Sequence, residues 1–382
     1  MASPAWTLPA STIRYRQAAD AWPVRPAHRW SLRLVYFVPL AALAWWALPG
    51  PEPVGPNAAL AARGALVVWG DTDLGWVGEV WPPLAAGLAA LLGQSGLGYV
   101  LVAAAVVAFS LQGLASTMVR EGFGGWATSA VIATVMLAPP TTYLVATDLQ
   151  SVLGLALLVT ALAGIASFVE RGSTEAGFRA GLALGVAVMV DPAAWPYALT
   201  LGLVAPFFAR HAGRRGPSAQ LATVAVLLFP PAAAMGFWWY LSWWFSPTQF
   251  GGLLEAGATW FPGGVGPAAQ AATGAVLLGI AASPLFLVAA WARAVREPWS
   301  LIAPAIAVVG LWTSLWLGVR QPGGQTYLLL VVLYVTLLAV RRPTGRRQVV
   351  IVVTAAVQLV LVWWVSLTAG TPLTSWLRGL LG

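Results

Sequence analysis

Apolar residues along this chain come in long runs separated by short polar intervals, not in the strict alternation of a half-buried strand. By apolar length the runs fall at about 34–49, 97–118, 124–139, 151–169, 178–191, 194–209, 219–245, 271–292, 300–317, 325–340 and 348–369. A helical membrane span takes about 20 apolar residues, so the pattern predicts an all-α polytopic membrane protein of about 11 transmembrane helices. The stretch 178–209 is long enough for two short spans broken at Asp191-Pro192. Proline has no N–H to donate and disfavours helix in the residue before it. The expected organisation is a cytoplasmic N-terminal segment 1–33, a single transmembrane domain 34–369 and an external tail 370–382.

The longest polar-tinged interval is the first external loop, about residues 50–96. It holds two apolar stretches, AALAARGALVVWG and LAAGLAALLG, too short to cross a bilayer and best laid along its surface as helices. Between them GDTDLGWVGEVWPPL (70–84) gathers Asp71, Asp73 and Glu79 ahead of the rigid pair Pro82-Pro83.

Composition strengthens the membrane reading. Only 8% of residues are charged and 59% are hydrophobic, where a soluble domain carries about a quarter charged residues. No room remains for a sizeable soluble domain. The tryptophans, with pairs at 45–46, 238–239 and 243–244, suit interfacial aromatic belts. The absence of cysteine excludes disulfides, thiolate catalysis and Cys-bound metals. His28 and His211 both lie among arginines, which argues against a histidine metal site or base.

All 20 basic residues are arginine. They sit in short clusters between apolar runs, which sets topology and does not make a nucleic-acid groove. With eleven spans and the N-terminus inside, the cytoplasmic loops are 1–33, 119–123, 170–177, 210–218, 293–299 and 341–347; together with Arg179 they hold 17 of the 20 arginines. The long charged stretch before the first apolar run favours a retained span over a cleaved signal peptide. The same topology places Glu52, Asp71, Asp73, Glu79, Asp148, Asp191 and Glu255 on or near the external face, while Asp20, Glu121, Glu170, Glu175 and Glu297 lie inside near arginines. Ionisable groups near a membrane without an obvious local partner mark a site.

Each of these residues has two readings. Asp71 and Asp73 supply a general base for an acceptor hydroxyl, or they are turn residues capping the next helix. No cofactor is specified; a divalent metal beside Asp71 and Asp73 would have to serve a lipid phosphate. A helix over 72–80 would turn Glu79 to the side of Asp71, against plain solvation at the rim. Asp148 holds a metal or acceptor hydroxyl, or caps SVLGLALL from just upstream. Asp191, between Val190 and Pro192, is costly unless paired or protonated, so it belongs to a site or pairs with Arg63 or Arg320. Arg320, in GVRQPGGQTY with Gln321, Gln325 and Tyr327, presents a guanidinium fork that matches phosphate, or holds a salt bridge. The loop 246–270, with Gln249, Glu255 and Trp260, walls an acceptor groove or anchors at the interface.

The order of WPPL (81–84), APPTTYLVATDLQSVLGLALL (138–158) and FRAGLALGVAVMVDPAAWPYAL (178–199), after an acid-bearing first loop with interfacial helices, resembles the GT-C superfamily of membrane glycosyltransferases. The resemblance covers residues up to about 210. It implies transfer of a sugar from a polyprenyl-phosphate or polyprenyl-diphosphate donor to an extracytoplasmic cell-envelope glycan, lipid or protein, at the plasma membrane. On that resemblance Asp71 or Asp73 would be the base and Arg320 would hold donor phosphate. Asp148 or Asp191 would support acceptor or metal, with Glu79 and Gln325 as further substrate contacts. Two departures matter: TDLQS stands where relatives usually carry Glu, and Asp191 where they often carry Arg. They keep open a catalytically inactive GT-C-like assembly subunit with a bound protein partner. A lipid or solute transporter is disfavoured, because the mid-span regions are nearly free of charge.

Overall fold

The computed structural model describes residues 22–70, 74–171, 173–211, 216–246, 261, 263–295, 298–320, 322–337 and 345–381. Among these there are 16 α-helices and no strand. In chain order they are α1 (Pro26–Trp46), α2 (Pro56–Gly64), α3 (Pro83–Leu92), α4 (Gly96–Arg120), α5 (Gly125–Met136), α6 (Pro139–Thr147), α7 (Leu149–Arg171) and α8 (Thr174–Val190). There follow α9 (Ala194–His211), α10 (Pro217–Phe245), α11 (Val265–Ala281), α12 (Pro284–Ala294), α13 (Ile302–Trp316), α14 (Gln325–Leu337), α15 (Gly345–Thr368) and α16 (Pro372–Leu381).

Proline sets many of the starts. Pro26, Pro56, Pro83, Pro139, Pro217 and Pro284 each open a helix, where the missing N–H is no loss and the fixed φ already suits the helix. Ser95 and Ser173 cap α4 and α8, their hydroxyls accepting from Gly98 N and Ala176 N at 3.3 Å.

Four described helices, α4, α7, α10 and α15, are long and apolar enough to cross a membrane. The count rises to six if the bent pairs α5–α6, at 53°, and α11–α12, at 82°, are each one span. The run 271–292, read in sequence as one continuous span, is therefore interrupted at Ala282-Ser283, while the helix of run 124–139 is interrupted at Leu137-Ala138, at the end of that run. Both interruptions precede prolines, Pro139-Pro140 and Pro284, which cannot donate the hydrogen bond that would carry the helix through. Among the described residues, other apolar runs form shorter helices, with 17 residues in α8, 15 in α13 and 13 in α14.

The outer surface is what a bilayer requires. Leu221, Phe229, Phe237, Trp239, Trp243 and Trp244 of α10, and Val349, Val353, Val357, Val360 and Trp364 of α15, are exposed. Contiguous apolar surface of that extent is rare on a soluble monomer and is stable against lipid. Inside, α4 and α7 form the centre, with Tyr99, Val100, Ala103, Ala104 and Val107 packed in one core with Leu149, Val152, Leu155 and Leu158.

Backbone freed at a break must be satisfied within the protein. At the α11–α12 break the amide N–H of Leu285 donates to Gln358 Oε1 at 3.1 Å. Gln358 Nε2 donates in turn to the Tyr327 hydroxyl, which donates to Thr134 O, each at 3.2 Å. One glutamine side chain thus joins α5, α12, α14 and α15.

Two short helices stand where the first loop was expected to carry them, α2 and α3. They pack so closely that a Cβ on Gly64 would lie 2.7 Å from that of Ala89, so only glycine fits there. The tail 370–382 holds α16, whose Leu373, Thr374 and Leu377 face inward while Trp376 meets the Tyr143 ring edge-on at 5.3 Å.

Candidate functional site

The polar residues at one end of the bundle converge. Asp191 sits where α8 stops before Pro192, and its Oδ1 accepts from Ala193 N at 2.9 Å. Its Oδ2 pairs with Arg320 Nη2 in an ion pair whose side chains are 5% and 4% exposed. A Cβ on Gly154 of α7 would collide with the Asp191 carboxylate, so the acid approaches α7 only because a glycine stands there. Arg320 arrives from the end of α13, where its own N–H donates to Ser314 O at 3.3 Å. The Ser314 hydroxyl donates to Ala193 O at 3.1 Å, docking α13 on the α8–α9 break.

Asp148 lies between α6 and α7 and caps α7. Its Oδ1 accepts from Ser151 N at 2.9 Å and its Oδ2 from the Ser151 hydroxyl. Gln325, at the start of α14, donates through Nε2 to Asp148 Oδ2 at 3.4 Å and accepts from Gly323 N at 2.7 Å. Asp148, Asp191, Arg320 and Gln325 are 5%, 4%, 6% and 3% exposed. They form one buried polar patch at the meeting of six helix ends.

The first loop lies against this patch. Asn57 straddles Asp148, donating to Ala146 O at 3.2 Å and accepting from Leu149 N at 2.8 Å. Arg63 donates to Trp81 O at 2.9 Å and to Gln150 Oε1 at 3.3 Å. Gln150 Nε2 continues to Val190 O at 3.0 Å, the carbonyl just before Asp191. The Trp81 ring packs on Ala187, Val188 and Ala194.

Burial lowers the pKa of Arg63, while Asp148 and Asp191 pull it the other way. Burial also opposes the charge on Arg320, but Asp191, Tyr197 and Asp148 outweigh it and its pKa is raised. Both guanidiniums are cations in the field of the two acids. The second amino group of Arg320, Nη1, and the Tyr197 hydroxyl are buried and have no hydrogen-bond partner among the described residues.

Asp71 and Asp73 lie outside the described residues, as do Gln249, Glu255, Trp260 and Gln321. Of the stretch 72–80 the described part forms a 3-10 turn, Gly75–Gly78, not an α-helix, and Glu79 after it is exposed. The Ser246 hydroxyl holds that turn by donating to Gly75 O. Among the described residues no cluster of three or more His, Cys, Asp or Glu could hold a metal ion.

An open cleft of about 60 Å3 lies beside the patch. Leu278, Val362, Val365 and Ala369 wall it, and Gly323, Gly324 and Gln325 lie at its polar edge. Gln325 is shared between the cleft and the acids.

Compared with known proteins, the chain matches no family model, no curated protein and no solved structure.

Sequence reasoning missed Asn57, Gln150, Ser151, Ser314 and Tyr197. Gln150 and Ser151 lie in the polar segment TDLQS that drew attention for Asp148, and Asn57 is the only asparagine in the chain. Ser314 and Tyr197 carry no signal in spacing or charge.

Proposed function

We propose that the chain is a GT-C-like membrane glycosyltransferase of eleven spans, N-terminus cytoplasmic and C-terminus external, moving a sugar from a polyprenyl-linked donor to an extracytoplasmic envelope acceptor. One observation carries this reading. Asp148, Asp191, Arg320 and Gln325, scattered over some 180 residues of sequence, meet in one buried patch against a first loop built of short helices. In this reading Arg320 holds donor phosphate, Asp71 or Asp73 takes the proton of the acceptor hydroxyl as it attacks the anomeric carbon, and the cleft ending at Gln325 takes the lipid chain. A buried guanidinium with one amino group unspent among the described residues is chemistry suited to a phosphate ester. The test is transfer of radiolabelled sugar from polyprenyl-phosphate donors in proteoliposomes. Wild type should transfer, and the Asp71→Asn/Asp73→Asn variant should not.

A second reading has its own support. Both acids and Arg63 already have partners within the chain, as they would in an inactive GT-C-like assembly subunit. Absence of transfer with every donor, together with a stoichiometric protein partner on gentle extraction, would select it.

A further inference from the structure

The cleft beside the patch has no charged residue in its lining, although Gln325, which lines it, bonds Asp148. Leu278 of α11 and Val362 and Val365 of α15 wall it, and the start of α14 contributes Thr326 beside Gln325. On the same two walls Leu277, Val360 and Trp364 are exposed, so both belong to helices that turn apolar surface outward. A Cβ on Gly279 would lie 2.3 Å from Thr326 Cγ2, so glycine is what lets α11 close on α14 here.

Two hydroxyls interrupt this apolar lining. Thr326 and Ser366 line the cleft and are 5% and 2% exposed, and neither hydroxyl bonds another described residue. Tyr327, the next residue, instead spends its hydroxyl on Thr134 O and Gln358. A hydroxyl left unbonded among hydrocarbon is costly, so a fitting occupant accepts from it. A bare hydrocarbon chain has nothing to accept with, and a phosphate would meet no cation in this lining. A neutral oxygen carried on an apolar body satisfies both conditions. In a bilayer that group is the ester carbonyl of an acyl lipid.

We infer that the cleft binds an acyl-ester lipid of the surrounding bilayer, whose ester carbonyl accepts from Thr326 and Ser366. Polyprenyl carriers have no such carbonyl, since their hydrocarbon runs straight into the phosphate. The inference rests on the reading of the cleft as a lipid site and names the lipid, and it leaves Arg320 to the donor phosphate.

The test is native mass spectrometry of the full chain in micelles holding equal amounts of diester phosphatidylglycerol and its diether analogue, which lacks both carbonyls. Wild type should retain the diester over the diether by about tenfold, as expected when two neutral hydrogen bonds are at stake. Thr326→Val and Ser366→Ala should each reduce that preference, and the double variant should bind the two lipids alike. Ala369→Phe, which fills the cleft just beyond α15, should lose the preference outright. Equal retention of the two lipids by wild type would overturn the inference, as would a preference that survives both the double variant and Ala369→Phe. Polyprenyl phosphate added to the mixture should bind beside the diester. Displacement of the diester would overturn the inference and assign the cleft to the carrier, with the transferase reading intact. Absence of sugar transfer alongside an intact diester preference would instead sink the transferase and leave the lipid site standing. The wild-type comparison needs no substitution, so it decides even where a variant fails to fold.

Discussion

Helix α8 carries an ion pair at each end, and the two have little in common. At its start Glu175 and Arg179 pair across one turn with side chains 65% and 57% exposed. At its end Asp191 and Arg320 pair across 129 positions of sequence with almost no exposure. The first follows from local spacing alone. An acid in the first turn with an arginine four residues on is favoured by the helix dipole and by i,i+4 geometry, and in water such pairs contribute a few tenths of a kcal/mol. The second required a helix break, a glycine on α7 and the docking of α13 before the partners could meet. Burial turns the same chemistry from a surface detail into a constraint on the fold.

The sharpest way to break that contrast is Arg320→Ala. It leaves a buried carboxylate unpaired, and the expected loss is about 3–5 kcal/mol, read from thermal or denaturant unfolding in detergent. Replacing both partners, Asp191→Leu with Arg320→Met, should restore most of that stability, since an apolar pair of similar volume removes the desolvation penalty. If Arg320→Ala and the double variant were equally unstable, the pair would not be what limits that end of α8.

Removing Gln358 probes whether a neutral buried network matters on the same scale. Gln358→Leu strands the Leu285 N–H at the α11–α12 break and should cost about 1–2 kcal/mol, in the range of interhelical hydrogen bonds in membranes. Asp148→Ala removes the cap of α7 and should cost about 1 kcal/mol, seen as earlier hydrogen exchange in its first turn. The smallest effect belongs to the exposed pair. Glu175→Ala should shift stability by no more than about 0.5 kcal/mol, a difference that fades as salt is raised.

The same contrast explains what could be read from the sequence. Long apolar runs gave away the helical membrane fold, and Asp191-Pro192 gave away a break, because length and proline act locally. The acids at helix ends stood out as charges without neighbours of opposite sign, and Asp148, Asp191, Arg320 and Gln325 do come together. In sequence Asp191 has two candidate partners, Arg63 and Arg320, and the choice of Arg320 is made only where their helices meet in the folded bundle. Hydroxyl and amide groups such as Ser314, Tyr197 and Gln150 carry no charge signal, so their places in the patch emerge only from packing. The bend at Pro284, inside the run 271–292, was passed over, since a membrane helix sometimes carries proline without breaking, as α10 does at Pro230-Pro231.

The most direct test of the proposed function is native mass spectrometry of the gently extracted protein, wild type beside the Asp191→Leu/Arg320→Met variant, which lacks the guanidinium and should keep the fold. The account predicts a co-purifying polyprenyl phosphate or its glycoside on wild type, absent from the double variant and enriched when Asp71 and Asp73 are both changed to alanine. Wild type free of any polyprenyl carrier but bound to a stoichiometric protein partner would contradict it and make the buried pair a structural element of an assembly subunit.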